Sequence, residues 1–229
     1  MFWDSNGRAI PASPLGRPGI HLRFRNPLHR QPSGIKTGGL RLGALGCLLL
    51  LALGACSNTG PKDYANACDI RSDHPVWFRD LARTERKWGV PPHVILAVMH
   101  QESRFESDAK TPRKRIFFGL VPWGRQSSAY GYAQVLDGTW TEYRRKNHRW
   151  GARRDRFRDA VDFMGWYMTT TTRRTGVAKS DAYNQYLAYH QGHAGYLSGR
   201  YKSNSWLKDV ARSVDARSGR YKNQLRRCA

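Results

Sequence analysis

The chain of 229 residues is strongly basic, with 39 Lys and Arg against 17 Asp and Glu and a formal net charge of +22. Its length allows one medium-sized domain with room for processing segments, which excludes a large multidomain assembly. The charge suits three kinds of polyanionic partner: nucleic acid, acidic lipid headgroups and the carboxylates of a bacterial cell wall. Composition does not choose among them.

The N-terminal part of the chain predicts export. An apolar, Leu-rich run at residues 42–53 follows Lys36 and Arg41 and ends shortly before Cys56. The run is too short to span a bilayer comfortably but suits the apolar region of a secretory signal. The small residues before Cys56 resemble the lipobox of bacterial lipoproteins, in which the cysteine is acylated and becomes the first mature residue. The alternative is an ordinary signal peptide with an incidental cysteine.

These features divide the chain into three predicted parts. We expect a leader and lipoprotein signal peptide at 1–55, a lipid-anchored tether at 56–70 and the folded domain at 71–229. Ser57 and Asn58 resemble the residues of lipoproteins sent to the outer membrane, because Asp beside the lipidated cysteine is the usual retention signal for the inner membrane. We therefore expect anchoring on the periplasmic side of the outer membrane. The leader is unusually long. A start site assigned too far upstream would explain its length.

Two cysteines remain in the mature chain, one near each end of the domain. In an oxidising periplasm, Cys68 and Cys228 are expected to form a disulfide that ties the termini together. Two free thiols are the alternative. A metal site is not expected, because no two ligand-type residues near either cysteine have the required spacing.

From residue 71 onward, apolar residues recur at helical spacing, without a long alternating strand pattern. This predicts an all-α domain with one core and with loops at a cleft. A first helix is expected over 74–88, with Pro75 near its start and Gly89 as its stop. Its apolar side consists of Trp77, Phe78, Leu81 and Trp88.

Residues 109–130 contain two Pro and two Gly and are expected to be irregular. Later helices are expected to begin at Asp137, Asp155 and Ser180. The apolar stripes of the later helices are Trp140 and Tyr143; Phe157, Val161, Met164 and Met168; Tyr183, Tyr186, Leu187 and His190; and, in a last helix, Trp206, Leu207, Val210 and Val214.

Glu102 is the most informative single residue. Ile95, Val98, Met99 and Glu102 fall at i, i+3, i+4 and i+7, which is one face of an amphipathic helix. A carboxyl group that loses water on this face has a raised pKa. An acid that is protonated near neutral pH is what general acid catalysis requires. The alternative is a glutamate at a helix end that simply reaches solvent.

Three segments match a known set of signatures. Residues 102–105 read Glu-Ser-Arg-Phe, residues 131–140 read Gly-Tyr-Ala-Gln-Val-Leu-Asp-Gly-Thr-Trp, and residues 188–192 read Ala-Tyr-His-Gln-Gly. In this order and spacing they resemble the soluble lytic transglycosylase domain, a lysozyme-like fold that also includes goose-type lysozyme. The family pattern is Glu-Ser-x-Phe, then Gly-Leu-Met-Gln-x-x-Pro-x-Thr, then Ala-Tyr-Asn-x-Gly. The resemblance covers about residues 91–192.

The resemblance implies cleavage of the β-1,4 bond between N-acetylmuramic acid and N-acetylglucosamine in peptidoglycan. Glu102 matches the family's catalytic glutamate, which protonates the leaving oxygen and then acts as base toward the muramoyl 6-hydroxyl, giving a 1,6-anhydro end. Ordinary glycosidases need a second carboxylate, and an internal nucleophile removes that need. Glu106 and Asp108 are poorly placed for a second role, since Glu106 lies beside the acid on the same helix and Asp108 lies beyond the helix end.

The resemblance also assigns the supporting residues. Ser103 and Gln134 match positions that hydrogen-bond substrate or shape the cleft. Tyr189 matches a tyrosine whose hydroxyl lies near the catalytic glutamate, with an aromatic residue of the core as the alternative. Gly131 is expected to let the backbone approach the sugar closely. The predicted substrate-binding residues are Ser103, Gly131, Tyr132, Gln134, Tyr189 and His190.

The chain departs from the family pattern at two places. His190 stands where the family has an asparagine that contacts substrate, and histidine is bulkier and can titrate. Tyr132 and Ala133 replace Leu-Met, which makes that wall more polar. These changes concern the details of sugar binding and not the acid.

The segment from Lys110 to Gln126 combines basic and aromatic residues. Aromatic faces stack on sugar rings, and cations pair with peptide-stem carboxylates, so we expect a loop that borders the glycan groove. The alternative is a solvated charged loop whose aromatic residues cover the core. The residues concerned are Arg113, Lys114, Arg115, Phe117, Phe118 and Trp123.

The leading hypothesis is a lipid-anchored lytic transglycosylase that binds peptidoglycan strands. We expect no cofactor and no metal, since His100, His190 and His193 do not form a convincing ligand set. A muramidase hydrolase on the same fold and an inactive peptidoglycan-binding lipoprotein are the alternatives. A nucleic-acid-binding protein rests only on the basic surface, and the export signal argues against it.

Overall fold

The structure is a computed structural model that describes residues 64–116 and 121–228 and the backbone of two short strands at residues 2–3 and 9–10. At 114–116 and 121–123 it likewise describes only the backbone. The predicted signal peptide, the lipidation site Cys56 and the start of the tether lie outside the described residues. So do Phe117 and Phe118 of the basic and aromatic segment.

The described residues form seven α-helices around one core, which confirms the all-α fold. The helices are α1 (Ala67–Asp73), α2 (Pro75–Trp88), α3 (Pro92–Ser103), α4 (Asp137–Lys146), α5 (Phe157–Thr175), α6 (Ala182–Leu197) and α7 (Ser205–Leu225). α3 packs against α6 and α7, and α5 packs against α2 and α6. None of these described helices is long and apolar enough to cross a bilayer.

Helix α3 lies at the centre of the core. Residues 94–100 are buried without interruption, so the helix is enclosed on all sides and not on one face as expected. It ends abruptly, because Arg104 and Phe105 have φ angles of 51° and 65°, a left-handed conformation that non-glycine residues rarely adopt. Two such residues in succession turn the chain away directly after Glu102 and Ser103. Strained backbone of this kind clusters at functional sites.

Helix α1 begins within the segment that we assigned to the tether. Ala67 and Ile70 are fully buried, so the packed domain starts before residue 71. Cys68 is joined to Cys228 by a disulfide, with Cα atoms 5.9 Å apart. Beside it, the Ala67 N–H donates to the Gln224 side chain at 2.9 Å. The two ends of the domain are therefore held together by a covalent bond and by packing of α1 on α7.

Two strand pairs are present in the described residues. β1 (Phe2–Trp3) pairs antiparallel with β2 (Ala9–Ile10), and β3 (Arg113–Ile116) pairs antiparallel with β4 (Val121–Arg125). The β3–β4 hairpin lies in a segment that we expected to be irregular. Successive basic residues at 113–115 show no alternation of polar and apolar side chains, so the sequence has no period-two signal there.

Helix starts differ from the sequence prediction by one or two residues. Asp181, and not Ser180, caps α6, because its side chain accepts a hydrogen bond from the Asn184 N–H in the first turn of the helix. Asp155 precedes α5 and pairs with Arg153 at 2.6 Å instead of opening the helix. Asp137 lies in the first turn of α4, where a negative charge interacts favourably with the helix dipole.

Candidate active site

Glu102 occupies the last turn of α3, at the edge of the core, and its side chain is only partly exposed. Burial raises the pKa of this carboxyl group to about 8. Among the described residues, none donates a hydrogen bond to it, so no such bond offsets the cost of removing an anion from water. At neutral pH the group therefore keeps its proton and is able to donate it.

Two tyrosines of α6 lie beside Glu102. Burial, followed by the proximity of Glu102, raises the pKa of both Tyr186 and Tyr189 well above the ordinary value. The Tyr189 hydroxyl donates to the Ala133 carbonyl at 2.6 Å. The Tyr186 hydroxyl is buried and has no hydrogen-bond partner among the described residues. These two rings make the surroundings of the acid apolar, which strengthens electrostatic interactions there.

Three side chains donate hydrogen bonds to backbone carbonyl groups of the loop at 131–134, which lies next to the end of α3. Ser103 Oγ lies 2.8 Å from the Tyr132 carbonyl oxygen, and Gln134 Nε2 donates to the Gly131 carbonyl at 2.9 Å. With the bond from Tyr189, three successive carbonyl groups each accept a hydrogen bond from a side chain. Ser103, Gln134 and Tyr189 therefore fix the backbone of this loop, and their roles toward substrate stay predictions.

Gly131 is required by a contact within the protein. Its φ is +77°, and a Cβ atom at this position would lie 2.3 Å from the Arg154 carbonyl oxygen. The same carbonyl accepts the Tyr132 N–H at 3.3 Å. Gly131 is thus required where the loop approaches the backbone before α5, and the close approach to a sugar stays a prediction.

Tyr132 belongs to an aromatic cluster next to this loop. Its ring makes edge contacts with Trp77 and Phe157, at centroid distances of 5.8 and 5.5 Å, and Trp77 stacks on Phe157 at 4.1 Å. Burial raises the pKa of Tyr132, although a hydrogen bond with Ser107 acts in the opposite direction. The tyrosine that replaces the family's leucine therefore packs as part of the wall and keeps its hydroxyl satisfied.

His190 follows Tyr189 in α6 and is partly buried. Its ring lies 6.3 Å from Tyr186 and 5.9 Å from Trp206, between centroids. Burial lowers the pKa of His190 to about 4, so the imidazole is neutral and does not titrate near pH 7. Two residues later the helix is interrupted at Gly192, whose φ of 71° and ψ of 160° are essentially restricted to glycine.

The nearby carboxylates do not join Glu102. Glu106 and Asp108 are both exposed on the segment after α3. Among the described residues, no other Asp or Glu contributes to the raised pKa of Glu102. No group of three or more His, Cys, Asp or Glu side chains in that part of the chain is arranged to hold a metal ion.

One protein-family model matches most of this chain. The model of the transglycosylase SLT domain matches residues 44–228. The chain belongs to this family. SLT domains are generally lytic transglycosylases, so the family supports peptidoglycan transglycosylase activity in general terms. A search of curated proteins finds no significant match.

Neither Tyr186 nor Arg154 was predicted as a residue of the candidate site. Tyr186 lies one helical turn before Tyr189, so its place on the same face of α6 was available as a signal. We assigned it only to an apolar stripe. Arg154 had no such signal, because its carbonyl group meets Gly131 only through the tertiary fold.

Proposed function

We propose that the chain is a lytic transglycosylase that cleaves the β-1,4 bond between N-acetylmuramic acid and N-acetylglucosamine, with Glu102 as the general acid and base. The observation that supports this most directly is a carboxyl group with a pKa of about 8 at the end of a buried helix. It lies beside two buried tyrosines and next to the loop at 131–134.

In the first step Glu102 donates its proton to the glycosidic oxygen. The bond between C1 of the muramoyl sugar and this oxygen breaks, and the bonding electrons leave with the oxygen as a sugar hydroxyl. Positive charge then develops at C1, where the N-acetyl group of the same sugar can stabilise it. The deprotonated Glu102 lies nearby and favours this charge.

In the second step the Glu102 carboxylate removes the proton of the muramoyl 6-hydroxyl. The oxygen at C6 forms a bond with C1, which closes the 1,6-anhydro ring, and Glu102 is protonated again. No water is consumed. A pKa near 8 suits both steps, because the group is protonated before the reaction and is a stronger base than an ordinary carboxylate afterwards.

The surroundings of Glu102 support an internal nucleophile. Glycosidases that use water or an enzyme nucleophile place a second carboxyl group roughly 5–9.5 Å from the acid. A carboxylate at that distance would act on the Glu102 pKa, and within the described residues no other Asp or Glu does so. The 6-hydroxyl of the substrate can supply the missing nucleophile.

The test compares two glutamates four residues apart. Glu102→Gln should stay folded and lower the release of anhydromuropeptides from purified sacculi by about 10²- to 10⁴-fold, because an amide cannot transfer the proton. Glu106→Gln is the matched control, since Glu106 is exposed, and it should keep full activity. Products are identified by mass spectrometry.

Other product patterns would overturn the proposal. Full activity of Glu102→Gln would show that another group is the acid. Products with a reducing muramic acid end would indicate a hydrolase on the same fold. Binding to sacculi without any soluble product would indicate a protein that recognises peptidoglycan without cleaving it.

We propose further that Cys56 anchors the protein by lipid to the periplasmic side of the outer membrane. The support is the signal-like run before Cys56 and the residues that follow it. Incorporation of a labelled fatty acid should occur in the intact chain and disappear in Cys56→Ser. Membrane fractionation then tests the location, and label that persists in the variant would contradict the anchor.

A further inference from the structure

A second concave region lies away from the residues around Glu102. It is a cavity of about 520 Å³ between α2, the segment before α5 and the first turns of α5. Neither Glu102 nor the tyrosines of α6 line it. The side chains that matter below are Arg83, Arg149, Trp150, Arg158, Asp159 and Asp162.

The floor of the cavity is a pair of buried carboxylates with their own partners. Asp159 accepts a hydrogen bond from Arg149 at 2.9 Å. Asp162 accepts hydrogen bonds from Lys87 and from the Trp88 indole, each at 2.9 Å. Because these donors already satisfy the two carboxylates, the floor is an internal network and not a cation site.

The rim of the cavity is cationic and partly aromatic. The side chains of Arg83 and Arg158 are 61% and 56% exposed, and Trp150 is 58% exposed. Arg83 uses one hydrogen bond on Asp80 at 3.0 Å, and Arg158 Nε lies 3.6 Å from Asp159 in an ion pair, whereas a guanidinium group has five N–H donors. Donors therefore remain for a ligand. An indole exposed beside them offers a flat apolar face of the kind that stacks on sugars.

The charge balance of the cavity favours an anionic ligand. Arg83, Arg149 and Arg158 face two floor carboxylates, so the cavity has a small positive excess. A carboxylate matches the guanidinium fork with two parallel hydrogen bonds.

The cavity and the cleft share one chain segment. Trp150 lies on the cavity rim, and four residues later the Arg154 carbonyl contacts Gly131 and Tyr132 at the cleft wall. The segment at 150–154 therefore borders both the cavity and the loop at 131–134. A polymer that binds beside this loop, such as a linear glycan with acidic side branches, is for this reason the ligand to consider for the cavity.

We infer that this cavity binds the carboxylate-bearing peptide stems of peptidoglycan, with Arg83 and Arg158 on a stem carboxylate and Trp150 against the adjoining sugar or peptide face. This inference rests on the proposed function, because it assumes that glycan strands occupy the cleft. It assigns to the chain a preference for peptide-bearing over peptide-free strands.

The test measures binding in the Glu102→Gln background, where turnover is expected to be about 10²- to 10⁴-fold slower. The double variant Arg83→Gln and Arg158→Gln should raise the Kd for peptide-bearing strands by about tenfold or more, since charge-assisted hydrogen bonds are lost. Its Kd for strands stripped of peptide by an amidase should not change. Isothermal titration calorimetry gives both values, and thermal unfolding checks that the variants are folded.

A charge-matched control removes two exposed arginines of α7, Arg212 and Arg220, and should leave both Kd values unchanged. An equal loss for both kinds of strand would indicate only general electrostatic attraction and would overturn the inference. An unchanged Kd for peptide-bearing strands in the double variant would also overturn it. So would a double variant that loses more affinity for an oligonucleotide than for peptide-bearing strands. Trp150→Ala should also weaken binding of peptide-bearing strands.

Failure of the proposed function would be visible separately. The chain with Glu102 intact is assayed on peptide-free strands, and the absence of anhydro products there would reject the catalytic proposal. The binding comparison does not depend on that outcome, because it uses a variant without the acid.

Discussion

Two buried carboxyl groups in this domain have opposite protonation behaviour. Burial raises the pKa of Asp162, but hydrogen bonds from Tyr143, Lys87 and Trp88 outweigh it, so the net pKa is lowered. Burial also raises the pKa of Glu102, and no described residue donates a hydrogen bond to it, so the pKa rises to about 8. Both groups lose water, and the number of donors around each one decides which form is stable.

This difference in pKa separates Asp162, which stabilises the fold, from Glu102, which is suited to proton transfer. Asp162 connects α5 to α2 and α4 through hydrogen bonds from three side chains, at 2.5 Å from Tyr143 and 2.9 Å from Lys87 and Trp88. Glu102 makes no comparable connection within the described residues. A buried acid without donors is costly for stability, and this cost is what keeps its proton in place at neutral pH.

The largest expected effect on stability comes from removing Asp162. Asp162→Ala should lower the free energy of unfolding by about 3–5 kcal/mol, because Lys87 and the Tyr143 hydroxyl lose a buried partner. Chemical denaturation at pH 7 measures the change. Asp209→Ala, which removes an exposed pair with Arg212, is the control and should leave the midpoint unchanged. Equal effects of the two substitutions would contradict the role of the Asp162 network.

Glu102→Gln should raise the free energy of unfolding, in contrast to Asp162→Ala. The folded state keeps a proton that the unfolded state, with a pKa of 4.5, has released at pH 7. The free energy of unfolding of the wild-type protein therefore falls as pH rises from about 4.5 to 8, and the amide side chain of the variant avoids this decrease. The variant should gain up to about 3 kcal/mol at pH 7 and almost nothing at pH 4.

The pH dependence of the two variants sharpens the contrast. Asp162 has a lowered pKa, so its contribution is present above the ordinary aspartate pKa and disappears in acid. Unfolding curves should thus show a Glu102→Gln gain that disappears between pH 7 and pH 4, and an Asp162→Ala loss that shrinks only below about pH 4. A Glu102→Gln gain that is the same at both pH values would show that the Glu102 pKa is not raised.

Two buried tyrosines provide a smaller, matched comparison. Tyr143→Phe removes a hydrogen bond to the Asp162 carboxylate and should destabilise the domain by about 1.5–3 kcal/mol. Tyr186→Phe removes a buried hydroxyl that has no partner among the described residues, so stability should be unchanged or slightly higher. Thermal unfolding of both variants measures this, and a large loss for Tyr186→Phe would reveal a missed partner.

The pH profile of the reaction is the most direct check on the acid. If Glu102 must be protonated, kcat/KM should fall as pH rises through about 8. The neutral His190 should add no step near pH 6.5, because its pKa is lowered to about 4. A profile that falls near pH 4.5 would indicate an ordinary, solvated glutamate. Because the His190 imidazole is neutral near pH 7, the variant His190→Asn should leave the shape of the kcat/KM profile unchanged.

The sequence by itself determined the class of fold and the position of the acid. Periodic apolar residues predict helices because side chains three and four positions apart share a face, and this is a local property. The position of Glu102 in the last turn of α3 follows from the same spacing. The motif at 131–134 was also visible, although its internal bonds were not.

The tertiary structure decided what these residues contact. Ser103, Gln134 and Tyr189 each donate to a different backbone carbonyl of one loop, and Gly131 is needed where that loop meets Arg154. Apart from Gln134 and Gly131, which are three positions apart, these partners lie 20 or more positions apart in the chain, so no local pattern shows them. The contrast between Glu102 and Asp162 has the same origin, because a pKa depends on how many donors the fold brings to a buried group.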